Sequence, residues 1–124
     1  MSLYRFIASD KEMPEYTNTN NYINIEKEED MLYVKKYTDK EFVNYVEFHY
    51  TDENAQEIID YIKNLLNDRF AVLLYNTWEN DKSPLNLKSI NIKDLSVKDI
   101  KDIWGAKMFK NNECLKVYKV YKEY

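Results

Sequence analysis

Apolar residues recur at three- and four-residue spacing between Ala55 and Leu66. Ala55, Ile58, Ile59, Ile62, Leu65 and Leu66 form one stripe, with Glu57, Asp60, Lys63 and Asn64 opposite. This spacing predicts an amphipathic helix with one buried face. Thr51 or Asp52 caps its start, and Asp52 and Glu53 sit in the first turn, where the helix dipole favours negative charge. Asn67-Asp68 supplies the stop, since Asn tolerates the left-handed conformation that ends many helices. Arg69 to Trp78 follows with little room for a loop. Phe70, Val72, Leu74 and Trp78 fall on one side of it, Ala71, Leu73 and Tyr75 on the other. A strand apolar on both sides is expected to be central and covered on both faces.

The remaining pattern adds shorter elements. Tyr4-Arg5-Phe6-Ile7-Ala8 favours a strand over Leu3 to Ser9, and Tyr22 to Glu26 reads as another. Asp10 to Asn21, with Met13-Pro14 and a run of Thr and Asn, reads as a surface loop. Glu26 to Asp30 reads as a solvated turn. Met31 to Tyr37 and Phe42 to Tyr50 read as a hairpin around Thr38 to Glu41. In its second arm Phe42, Val46, Phe48 and Tyr50 make a core face, and Val43, Tyr45, Glu47 and His49 a half-wet one. After a loop over Glu79 to Leu85, Leu87 to Lys93 is a strand. Ser96 and Asp99 form a capping box for a short helix with Val97, Ile100, Ile103 and Trp104 on one face, closed by Gly105. Ala106 to Lys110 and Glu113 to Tyr121 read as a second hairpin around Asn111-Asn112. The tail repeats every three residues, which fits neither period; its Val and Tyr content points to a strand.

These elements predict a single α+β domain over residues 1–124, a mostly antiparallel sheet packed on one face by one long and one short helix. Two such helices leave the second sheet face bare, and contiguous exposed apolar patches are rare on monomers. Either the Asp10–Asn21 loop or another subunit must cover it. Two-fold dimers are the commonest soluble assembly, so the expectation is a homodimer through Tyr33, Tyr45, Leu73 and Tyr75. The Tyr61-Ile62-Lys63 helix followed by an apolar strand ending in Trp78 resembles a group of small uncharacterised proteins of low-GC Gram-positive bacteria. The resemblance covers part of the chain and carries no chemical motif, and as that group has no established function it implies none here.

Composition narrows the chemistry. Gly105 is the sole glycine among 124 residues, so turns fall to Asn, Asp and Thr. Phosphate-cradling loops and the serine-hydrolase elbow need several glycines and are excluded. One His and one Cys make a zinc site improbable in its usual form, and no calcium-loop spacing occurs; no cofactor or metal is expected. No apolar run approaches the ~18 residues of a membrane span, and no secretory signal pattern opens the chain. A lone cysteine fits a reducing compartment, so a cytoplasmic location is expected. Residues 1–84 hold 9 basic and 17 acidic residues, net −8, and residues 85–124 hold 9 and 5, net +4. Mutual attraction of the halves is the expected meaning of this split, and the acidic balance disfavours nucleic acid. Tyr118 and Tyr121 among Lys116, Lys119 and Lys122 offer stacking faces, but read as a sheet edge guarded by lysines.

His49 is the one side chain that titrates near neutrality by default. Glu47, two residues away on the same strand face, is positioned to orient it, and Cys114 is a possible nucleophile if the strands meet. These three define a small hydrolase-like alternative. Twelve tyrosines favour the other reading, since tyrosine gives large rigid contact area at low entropic cost. The sequence therefore points first to a small acidic protein-interaction module.

Overall fold

The computed structural model describes residues 3–78, 86–105 and 115–123. The Glu79–Leu85 loop, the first arm and turn of the second hairpin, and Cys114 lie outside the described residues.

Among the described residues seven strands and three helices follow in the order β1 (Leu3–Ser9), β2 (Tyr16–Asn18), β3 (Ile23–Lys27), α1 (Met31–Val34), β4 (Phe42–Phe48), α2 (Asp52–Leu65), β5 (Ala71–Trp78), β6 (Asn86–Asn91), α3 (Val97–Trp104) and β7 (Leu115–Tyr121). They build one sheet in the order β2-β3-β4-β1-β5-β7-β6. Every neighbouring pair is antiparallel except β6 and β7. That exception follows from connectivity, because α3 lies between β6 and β7 and a helix is the usual crossover between parallel strands. The α+β class and the long-plus-short helix pair are as the pattern predicts.

α2 has the expected phase. Thr51 Oγ1 accepts the Asn54 N–H at 3.0 Å, and all six stripe residues are buried. α2 and α3 pack on the first face of the sheet, over Ile7, Ile25, Val46, Val72, Leu74 and Val120. The Asp99 carboxylate accepts the Ser96 N–H at 3.0 Å, closing the capping box. α3 is tied to the sheet at its far end: Trp104 Nε1 donates to the Tyr75 carbonyl at 2.9 Å, and Asn76 Nδ2 donates to the Ile103 carbonyl. Gly105 is required by close approach, since a Cβ there would lie 2.3 Å from the Lys101 carbonyl oxygen. Its φ of −67° is ordinary, so the left-handed helix end expected of it is absent.

The second face departs most from expectation. Met31 to Tyr37 is no strand. Asp30 Oδ1 accepts the Tyr33 N–H at 3.1 Å and starts the single-turn helix α1. β4 pairs with β1 and β3 instead. The stretch 28–41 crosses the second face, where Val34 is buried with Phe6, Ala8, Val43, Tyr75 and Val117, and Met31, Tyr33, Tyr37, Tyr4 and Leu73 pack around them. Tyr4 donates its hydroxyl to Glu28, and burial, then Glu28, raises its pKa. The cover is thus the chain's own strap, neither the Asp10–Asn21 loop nor a demand for a second subunit. The Asp10–Asn21 stretch is not a plain surface loop: Tyr16–Asn18 is the edge strand β2, and ahead of it Met13 enters the first-face core while the Pro14 carbonyl accepts the Tyr61 hydroxyl at 2.6 Å.

Three smaller expectations also change. Phe70 precedes β5 and is 71 % exposed; its carbonyl accepts the Lys122 N–H at 2.9 Å at the sheet end. β7 is an interior strand, and Tyr118 is buried with its hydroxyl on Asp102, so the lysine-tyrosine strip is neither a guarded edge nor a row of open stacking faces. The ion pairs Lys40–Asp10, Arg69–Asp68, Lys88–Asp99 and Lys116–Asp102 each join residues of the same half, so these four do not carry the attraction expected between the halves; the β5–β7 ladder and the Trp104–Tyr75 bond join them instead.

Candidate functional site

At one end of the sheet the ladder between β1 and β4 stops early. Phe6–Ser9 pair with Phe42–Tyr45, but Leu3, Tyr4 and Arg5 pair only with β5, and Val46, Glu47 and Phe48 only with β3. Arg5 enters the gap: Nη1 donates to the Phe48 carbonyl at 3.3 Å, and the guanidinium carbon lies 5.3 Å from the centre of the Phe48 ring. Phe48 in turn meets Trp104 edge-on at 6.3 Å, so the α3 anchor reaches the base of this end. Burial pulls the Arg5 pKa below its ordinary value.

Beside this gap the hairpin of β2 and β3 turns through a 3-10 turn, Thr19–Asn21, and then Tyr22. Tyr22 has φ 56° and ψ 44°, the left-handed conformation that such turns usually assign to Gly or Asn. For a tyrosine this costs about 1–3 kcal/mol. With one glycine in the chain, the position falls to an aromatic residue. The ring is 70 % exposed and lies 5.3 Å from the His49 ring.

α2 pins this turn. Glu57 accepts from Tyr16 Oη at 2.5 Å, Asn18 Nδ2 at 2.9 Å and Asn21 Nδ2 at 3.2 Å. One turn back along the helix, Asn54 Nδ2 donates to the Asn21 and His49 carbonyls, each at 2.8 Å. Sequence pattern placed Glu57 on the solvent side; it is instead the anchor of the turn that carries Tyr22. The Tyr16 hydroxyl foremost, with the two amides, holds the Glu57 carboxyl below its ordinary pKa against the effect of burial. A depressed folded value means that Glu57 stabilises fully above its unfolded pKa, about 4.3, and loses that contribution as pH falls through the lower folded value. Glu57→Gln is expected to cost about 1 kcal/mol near neutrality, after discounting for solvent screening. It should also flatten the acid-side loss of stability, both read from thermal melts between pH 3 and 7.

Together these elements bound an open cleft of about 830 Å³. Thr17, Thr19 and Tyr22 line it from the β2–β3 hairpin, Ile23, Asn24 and Glu26 from β3, Val46 to His49 from β4 and its end, and Arg5 from β1. Glu26 accepts the Tyr45 hydroxyl, and this bond, with burial second, pushes the Tyr45 pKa up to about 12.

The predicted site residues therefore divide. His49 and Glu47 both line the cleft and are exposed. Among the described residues no hydrogen bond joins them, so Glu47 does not orient the imidazole. Tyr45 is half-buried with its hydroxyl engaged at Glu26. Tyr33 is half-buried on α1, edge-on to Tyr4 at 5.3 Å. Leu73 is half-buried under the strap. Tyr75 is 4 % exposed and stacked on Phe6 at 4.4 Å, out of reach of a partner at the surface. Arg5, Tyr22, Asn54 and Glu57 were not singled out by sequence. Their roles depend on strand parting and on a turn with no glycine to mark it.

Among the described residues no group of three or more His, Cys, Asp or Glu side chains converges as a metal site, and no helix is long and apolar enough to cross a membrane. No protein-family model, no curated protein and no solved structure matches this chain.

Proposed function

We propose that this chain is a small acidic protein-interaction module of the cytoplasm, and that an extended segment of a partner protein docks in the cleft between Tyr22 and His49. The observation that carries the reading is Tyr22. A strained backbone is held in place by Glu57 and Asn54, yet the ring it presents is mostly exposed and adds little to the core. Strain of this kind gathers at ligand clamps and active sites, and exposed tyrosines anchor interfaces. The cleft places that ring beside a second planar side chain and a set of hydroxyl, amide and carboxylate groups, the mixture that fixes a bound segment by shape and hydrogen bonds. Cover of the second face by residues 28–41 supports a partner other than a second copy of the chain.

A random peptide library displayed on phage and panned against the folded protein tests this. Enriched peptides are expected to bind wild type and to lose binding to Tyr22→Ala and to His49→Ala, with circular dichroism unchanged. Peptides that bind Tyr22→Ala as tightly as wild type, or no enrichment at all, would remove the reading.

A further inference from the structure

We infer that the group the partner segment presents to this cleft is a carboxylate, received by the guanidinium of Arg5. This rests on the cleft being the partner site. Arg5 has five N–H donors. The Nη1 bond to the Phe48 carbonyl is long, at 3.3 Å, and Nε is buried without a partner. Arg69 Nε is likewise buried without a partner, so the contrast lies in the counter-charge. Arg69 has the Asp68 carboxylate at 2.6 Å and the Leu65 carbonyl at 2.8 Å, whereas no ion pair reaches Arg5 among the described residues. A partly desolvated cation without a counter-charge weighs against folding unless binding supplies one. The planar fork matches a carboxylate in shape, and the Phe48 ring lies against it, 5.3 Å from the guanidinium carbon.

The rest of the lining decides which anion. Glu26 and Glu47 share the cleft, and the chain carries net −4. A phosphate or polyphosphate chain would bring several negative charges past both acids. A single carboxylate brings one, and the polypeptide around it has neutral amides for Thr19 and for the pair made by the Thr17 hydroxyl, which donates to Asn24 Oδ1 at 3.0 Å. A segment bearing one Asp or Glu in a neutral or basic context fits this balance; a free small acid has no groups for the hairpin side of the cleft.

The probes are sodium acetate, sodium chloride at equal ionic strength, and two capped pentapeptides, acetyl-Gly-Phe-Asp-Phe-Gly-amide and its Asn counterpart. The readout is the Arg5 Nε–H resonance of labelled protein, with the Tyr22 and His49 ring signals followed in parallel. Acetate is expected to shift the Arg5 signal saturably and chloride not. The Asp peptide is expected to bind at least about tenfold tighter than the Asn peptide, as for a paired charge, and Arg5→Lys to lose that margin while melting as wild type does. Equal effects of acetate and chloride, or equal binding of the two peptides, would overturn the inference. If both peptides move the Tyr22 and His49 rings equally, the cleft still receives a segment and only the carboxylate assignment falls. If library-derived peptides bind but leave all three signals unmoved, the docking reading falls with it. Acetate as tight as the Asp peptide would assign the cleft to a free acid and overturn the partner-borne carboxylate.

Discussion

Trp104→Ala is expected to cost about 3–5 kcal/mol, the range for removing a buried tryptophan. Three losses combine at this position. The side chain is fully buried between α3 and the sheet. Its Nε1 is the donor to the Tyr75 carbonyl, so a buried acceptor is orphaned. Its ring also backs Phe48, on which Arg5 lies. Small domains have roughly 5–15 kcal/mol in total, so about a fifth or more of the stability goes. Urea unfolding followed by circular dichroism measures it, with the exposed Lys98→Ala as the comparison, expected within about 0.5 kcal/mol of wild type. A Trp104→Ala loss under about 1 kcal/mol would mean that α3 is not anchored as described.

Tyr75→Glu is expected to abolish folding, because it places an unpaired carboxylate beneath the strap and removes the stack on Phe6. Leu32→Glu, on α1 but facing solvent at 83 % exposure, should leave the thermal midpoint nearly unchanged. The pair reports the orientation of α1. A folded Tyr75→Glu would mean that the second face is open to solvent or to another chain, and residues 28–41 would not be its cover.

How much of this was legible in the sequence follows from how local each signal is. The α2 stripe, the two-sided apolar β5 and the Ser96 capping box are carried by neighbours in the chain, and all three are in place. Met31 to Tyr37 misled because Met, Tyr and Val suit strands as well as an isolated helical turn. Its conformation was settled by tertiary competition: β1 takes the place beside β4, and Asp30 offers a cap. The β2–β3 hairpin was hidden because its left-handed position is a tyrosine, where turn signals look for Gly or Asn. His49 stood out as the sole histidine, and it does line the cleft. Arg5 and Glu57 had no such mark. One is defined by strands that part, the other by three donors from 36 to 41 residues away.

The thermal midpoint of Tyr22→Gly bears most directly on Tyr22 as a residue kept for binding. Glycine adopts the left-handed backbone without strain, and the mostly exposed ring takes little burial with it. Its greater unfolded-state entropy offsets part of the gain. The expected result is a midpoint equal to wild type or raised, by up to about 1 kcal/mol in stability. A fall of more than about 1 kcal/mol, the size of a lost structural contact, would show that the ring serves the fold, and would contradict the assignment of Tyr22 to a partner.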